Sequence, residues 1–116
     1  VHMMGGYKVQ RDEERLMADA LEVESAGAFS VVLEGIPSTI SKKITKALTI
    51  PTIGIGAGPH CDGQILVLYD LLGLNQGHIP KFVKQYATIG DASGNAIKQY
   101  IEEVQAGKFP AKKHCY

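Results

Sequence analysis

Phe29-Ser30-Val31-Val32-Leu33-Glu34-Gly35-Ile36-Pro37 reads as a buried parallel strand that runs into an acid and is then stopped by a glycine and a proline. A strand that is apolar without alternation expects cover on both faces, and that requirement points to the α/β class. In α/β proteins the loops at the carboxyl ends of the strands form the mouth of the site. Glu34 is therefore the first candidate for a working residue. The competing reading has Glu34 capping the next helix or pairing with a lysine on it.

Working outward, the residues Val1 to Gln10 have no clear period, and their glycine pair suggests a lead-in loop. Between Asp12 and Ser25, Leu16, Met17, Ala20, Leu21 and Val23 fall mainly on one stripe, which predicts an amphipathic helix closed at Gly27. Pro37-Ser38 opens a second helix with Ser38 as N-cap and Ile40, Ile44, Ala47 and Leu48 as its inner stripe. Thr52 to Gly56 reads as a short second strand. The run from Gln64 to Asp70 repeats the plan of the first strand, apolar and ending in an acid, and predicts a third. A helix then begins at Ile79-Pro80 with Phe82, Val83 and Tyr86 on its inner side. Asp91 or Ser93 caps a last helix whose stripe is Ala96, Ile97, Tyr100, Ile101 and Val104.

Three parallel strands cannot close a barrel, and an open sheet of three leaves two apolar edges that native proteins rarely tolerate. The sequence thus predicts a single partial domain over residues 1–116, part of a larger α/β unit or one completed by other chains. At 116 residues the chain suffices for one small domain. Twelve basic residues balance twelve acidic ones, so no field of one sign draws in a phosphate backbone or an anionic bilayer. Neither nucleic acid nor a membrane surface is an expected partner. No apolar run approaches the roughly 20 residues of a spanning helix, and no charged-then-apolar leader is evident. Cys61 and Cys115 lack a metal or disulfide spacing, so a reducing cytoplasm is the expected setting.

Gly54-Ile55-Gly56-Ala57-Gly58 follows a strand as a phosphate-binding loop would, but Pro59 stands where a dinucleotide fingerprint needs glycine and no Gly-Lys-Ser/Thr follows. A tight strand exit that leaves room for a close neighbour fits better. Adjacent side chains such as His60, Cys61 and Asp62 seldom converge on one ion. His78 stands before a helix start, as a cap or a site wall. No nucleophile elbow is present. What remains is acids at strand ends, Glu34 and Asp70, beside glycine-rich loops. A carboxylate so placed can take a proton from carbon if an electrophile stabilises the enolate.

Five strings occur here in order: Gly5-Gly6-Tyr7-Lys8-Val9-Gln10, Val32-Leu33-Glu34-Gly35-Ile36-Pro37, Ile50 to Gly58, Asp62-Gly63-Gln64 and Gly77-His78-Ile79-Pro80-Lys81-Phe82. With them the sequence closely resembles the C-terminal part of the ketopantoate hydroxymethyltransferases, from Val1 to Tyr116. The resemblance implies a (βα)8 TIM barrel of the phosphoenolpyruvate/pyruvate superfamily, of which the three strands would be the sixth to eighth, with the N-terminal part absent. It implies transfer of a hydroxymethyl group from 5,10-methylenetetrahydrofolate to 3-methyl-2-oxobutanoate, giving 2-dehydropantoate for pantothenate and coenzyme A. Glu34 matches the proton acceptor. The resemblance also implies a homo-oligomer and Mg²⁺, whose ligands are expected outside this segment. Three departures accompany it: the first four strands are missing, Arg11 follows Gln10 where the family continues with Gly and a basic residue, and Tyr69 stands where His is common. The rival functions are a related Mg²⁺-dependent carbon-carbon lyase and a non-catalytic barrel fragment that serves assembly.

Overall fold

The computed structural model describes residues 8–116. The chain forms two compact units. One comprises the chain up to Leu66 with Pro80–Val83, the other Val67–Ile79 with Lys84–Tyr116.

The first unit holds helix α1 (Glu13–Ser25), strand β1 (Val31–Glu34), helix α2 (Ser38–Ala47) and strands β2 (Thr52–Ile55) and β3 (Gly63–Gln64). All strands are parallel in the order β1-β2-β3, so the architecture is α/β, three parallel strands with flanking helices. α1 starts where Asp12 accepts a hydrogen bond from the Arg15 backbone N–H at 3.2 Å, an N-cap. α2 begins one residue earlier than the sequence suggests. Pro37 is its N-cap and Ser38 its first helical residue, because the Pro37 carbonyl accepts from the Ile40 and Ser41 N–H groups at 3.0 Å.

The core lies between one face of the sheet and the two helices: Leu33 from β1, Ala20 from α1, and Ile40 and Ile44 from α2, with Ile44 fully enclosed. Ala47, placed on the inner stripe by the sequence, is exposed. Two ties hold the helices. Lys43 pairs with Glu13 at 2.6 Å, and Glu24 Oε1 accepts from Thr49 N–H, the Thr49 hydroxyl and Ile50 N–H at 2.6, 2.6 and 3.0 Å. Those three donors hold the Glu24 carboxyl below its usual range, the Thr49 hydroxyl first among them.

The third strand is shorter than expected. The ladder continues through the bond from Ile65 N–H to the Gly54 carbonyl, and Leu68–Leu71 is a helical turn, α3, in the second unit. Asp70 therefore lies within a helix and does not terminate a strand. A short apolar run is equally a strand or a helix segment by pattern, and two residues of pairing do not extend it. The helix expected from Ile79-Pro80 is also not formed: a single turn bonds Val83 N–H to the Pro80 carbonyl, and so His78 caps nothing. In the second unit, α4 (Ile89–Gln105) starts ahead of Asp91 and Ser93. Its first N–H groups are taken by the Leu72 and Gly73 carbonyls at 3.1 and 3.0 Å, so no side-chain cap is needed. The stripe expected to face inward on α4 is exposed at Ile97, Tyr100 and Ile101, although the Tyr100 ring meets Phe109 edge-on at 5.8 Å. Among the described residues no helix is long and apolar enough to cross a membrane.

Candidate active site

Residues 31–34 alternate across the sheet. Leu33 turns into the helix-covered core, so Val32 and Glu34 belong to the opposite face, in register with Ile53 and Ile55 of β2. Glu34 is the last residue of β1 and is exposed. Gly35 follows with φ +61°, and its N–H bonds to the Ile55 carbonyl at 3.0 Å. The strand thus ends in a sharp change of direction at the acid, the turn that the Glu34-Gly35-Ile36-Pro37 string encodes.

Glu34 also borders a cleft of about 290 Å³ between α1 and β1, but its walls are mainly core-side residues, Leu16, Ala20, Leu33 and Ile44 among them, so it lies on the helix side and not on the face to which the Glu34 side chain belongs. No lysine or arginine pairs with the Glu34 carboxylate among the described residues. Gln10, which the sequence leaves in an unstructured lead-in, stands beside it. Its Nε2 donates to the Glu34 carbonyl at 3.3 Å and its N–H to the Gly35 carbonyl at 2.8 Å. No period or composition marks Gln10; only its place at the end of the Gly5–Gln10 string singles it out, and Val1–Tyr7 lie outside the described residues.

The other candidates have structural tasks. Asp62 Oδ2 accepts from Thr52 N–H at 2.8 Å and from the Thr52 hydroxyl at 3.2 Å, while Asp62 N–H donates back to that hydroxyl at 3.2 Å. This fastens the end of the glycine-rich loop to the start of β2. Cys61 packs against the core, and a Cβ at Gly54 would lie 3.0 Å from its sulfur. The room left by Gly54 and Gly58 is therefore filled by Cys61 and Ser38. Asp70, in the second unit, accepts from Asn75 at 3.0 Å. No group of three or more His, Cys, Asp or Glu side chains converges among the described residues.

A parallel α/β sheet with an exposed acid at the carboxyl end of a strand defines a class of enzyme-like scaffold rather than a reaction. Comparison with known proteins supplies the family. A family profile described as ketopantoate hydroxymethyltransferase matches residues 1–112. The 3-methyl-2-oxobutanoate hydroxymethyltransferase of Desulforapulum autotrophicum is 63% identical over 116 residues, covering all of this chain and 44% of that protein. Those of Citrifermentans bemidjiense and Pelobacter propionicus are 58% and 55% identical, again over the whole chain and 45% and 44% of their own lengths. The chain belongs to the ketopantoate hydroxymethyltransferase family, and it spans less than half the length of these curated relatives.

Proposed function

We propose that this chain is the C-terminal part of a (βα)8-barrel enzyme that transfers a hydroxymethyl group from 5,10-methylenetetrahydrofolate to 3-methyl-2-oxobutanoate, with Glu34 as the base. The observation that carries the reading is the position of Glu34: last in β1, exposed on the face away from the helices, directly before the left-handed turn at Gly35, and unpaired with any lysine among the described residues. In the reaction the C3–H bond of the oxoacid breaks, the proton passes to the Glu34 carboxylate and the electron pair becomes the enolate. C3 then bonds to the methylene carbon as one of that carbon's two bonds to folate nitrogen breaks; water breaks the second and supplies the hydroxyl, and the two freed nitrogens take up the proton removed from C3 and one from water. The product is 2-dehydropantoate.

The described side chains do not compose a Mg²⁺ site, so no step here runs through the ion. The resemblance assigns its ligands to strands outside this segment. Assembly as a homo-oligomer and a cytoplasmic location belong to the same proposal.

The test is Glu34→Gln in the full-length polypeptide that carries this segment, following deuterium exchange at C3 of 3-methyl-2-oxobutanoate in D₂O. A positioned base contributes about 10²- to 10⁴-fold, and loss of exchange by that order is expected. Exchange at the original rate rejects the assignment.

A further inference from the structure

We infer that Gln10 is a positioning residue for the Glu34 base; the inference rests on the function proposed above. N–H and C=O groups of successive residues in a strand face opposite edges. Val31 and Gly35 N–H groups bond to the Pro51 and Ile55 carbonyls of the β2 side, at 3.0 Å each. Glu34's own carbonyl therefore faces the free edge of the sheet, where no described strand receives it. Gln10 Nε2 takes it, at 3.3 Å.

The peptide group between Glu34 and Gly35 is thus gripped from both sides, its N–H by Ile55 and its C=O by Gln10. The Gln10 backbone also holds the next carbonyl, that of Gly35, at 2.8 Å. Together these bonds fix the rotation about the Glu34 Cα–C bond and the left-handed turn at Gly35, φ +61°. They thereby fix the direction in which the Glu34 side chain leaves the backbone. Without the Nε2 donor, the peptide is held on one edge only and can rock about the β1–β2 ladder. Proton transfer from carbon is sensitive to such errors, since a misplacement of about 1 Å can cost 10²-fold.

Gln10→Met keeps the length of the side chain and removes the donor, leaving the backbone bond to Gly35. The experiment compares the wild type, Gln10→Met, Glu34→Gln and the double variant in the full-length polypeptide, by kcat and KM for C3 deuterium exchange of 3-methyl-2-oxobutanoate, with thermal melting alongside. Expected is a fall in kcat of about 10- to 100-fold for Gln10→Met at nearly constant KM. In the Glu34→Gln background the same change should have no further effect. Where Met lowers the melting temperature, Gln10→Ala, which adds no bulk, takes its place. Wild-type exchange in Gln10→Met beside lost exchange in Glu34→Gln rejects the positioning role alone. An equal loss in both backgrounds, or a rise in KM at unchanged kcat, rejects it too. Full exchange in Glu34→Gln rejects the proposed base and, with it, this inference.

Discussion

Gly58 and Gly27 both adopt left-handed backbone, φ +77° and +95°, but their surroundings differ. A Cβ at Gly27 meets nothing within 4 Å, whereas one at Gly58 falls inside the contact distance of Ser38 Cβ and 3.0 Å from Ser38 Cα. Ser38 is the first residue of α2, so relief would require moving the helix that carries Ile40 and Ile44 into the core. Gly27→Ala should therefore cost only the left-handed conformation, about 1–2 kcal/mol. Gly58→Ala should cost that amount and a further 1–3 kcal/mol or so of overpacking, about 2–5 kcal/mol together. Urea unfolding of the full-length polypeptide reads the difference as a larger drop in midpoint for Gly58→Ala at unchanged slope. Ser38→Gly in the Gly58→Ala background should return part of the loss, because it removes the nearer of the two contacts. Equal losses for Gly27→Ala and Gly58→Ala would refute the claim that the last glycine of the Gly54–Gly58 loop is there for helix packing.

Two further perturbations test the ties within the first unit. The Glu24 carboxyl titrates below its ordinary value in the fold because Thr49 and Ile50 donate to it. The unfolded chain takes up that proton first, so the stabilisation is present above the ordinary glutamate range and is lost as pH falls through the lowered value. Stability measured against pH should show this acid-side loss in the wild type and a flatter profile in Glu24→Gln; identical profiles would count against it. Thr52→Val removes a fully buried hydroxyl that serves Asp62 on one side and Thr45, at 2.9 Å, on the other. A loss of about 1–3 kcal/mol in chemical unfolding is expected, and a neutral result would mean that water replaces both bonds.

The first half of the chain was legible because its signals are local. α1 packs Leu16, Met17 and Ala20 of its stripe against the core, the apolar run of β1 ends at an acid, and α2 carries Ile40 and Ile44 one turn apart; each works over a few residues and each is realised in the fold. The second half misled where the pattern refers to surroundings that this chain does not provide. Ile65, Val67, Leu68 and Tyr69 have the composition of a buried strand yet are all about half exposed or more. Pairing stops after Gln64, apart from one bond at Ile65, and helical geometry begins at Leu68. Phe82, Val83 and Tyr86 similarly have helical spacing but too short a stretch to form a helix without packing. That Glu34 ends a strand was legible from strand logic alone. The bond from Gln10 to that strand end was not, because a hydrogen bond between residues 24 apart leaves no periodicity to read.

The distribution of exposed apolar surface bears on what the segment contributes to chemistry. β1 and β2 bury Leu33, Thr52 and Gly54 on the helix side, while Val32 on the other face is 53% exposed and Phe29, at the approach to β1, is 89% exposed. A carboxylate is a weak base toward carbon in water, and it becomes effective when the site excludes solvent and an electrophile holds the developing enolate. On the proposed reading both of those come from the strands that would cover Val32 and Glu34. On the same reading, what the segment itself supplies is aim: a strand end, a left-handed glycine and a glutamine that together set where one carboxylate points. Aim depends on contacts within residues 10–56 and can be carried by this segment, whereas dryness and charge stabilisation require the rest of the barrel. Substitutions at Gln10 should consequently change the rate of proton removal without changing how tightly the oxoacid binds.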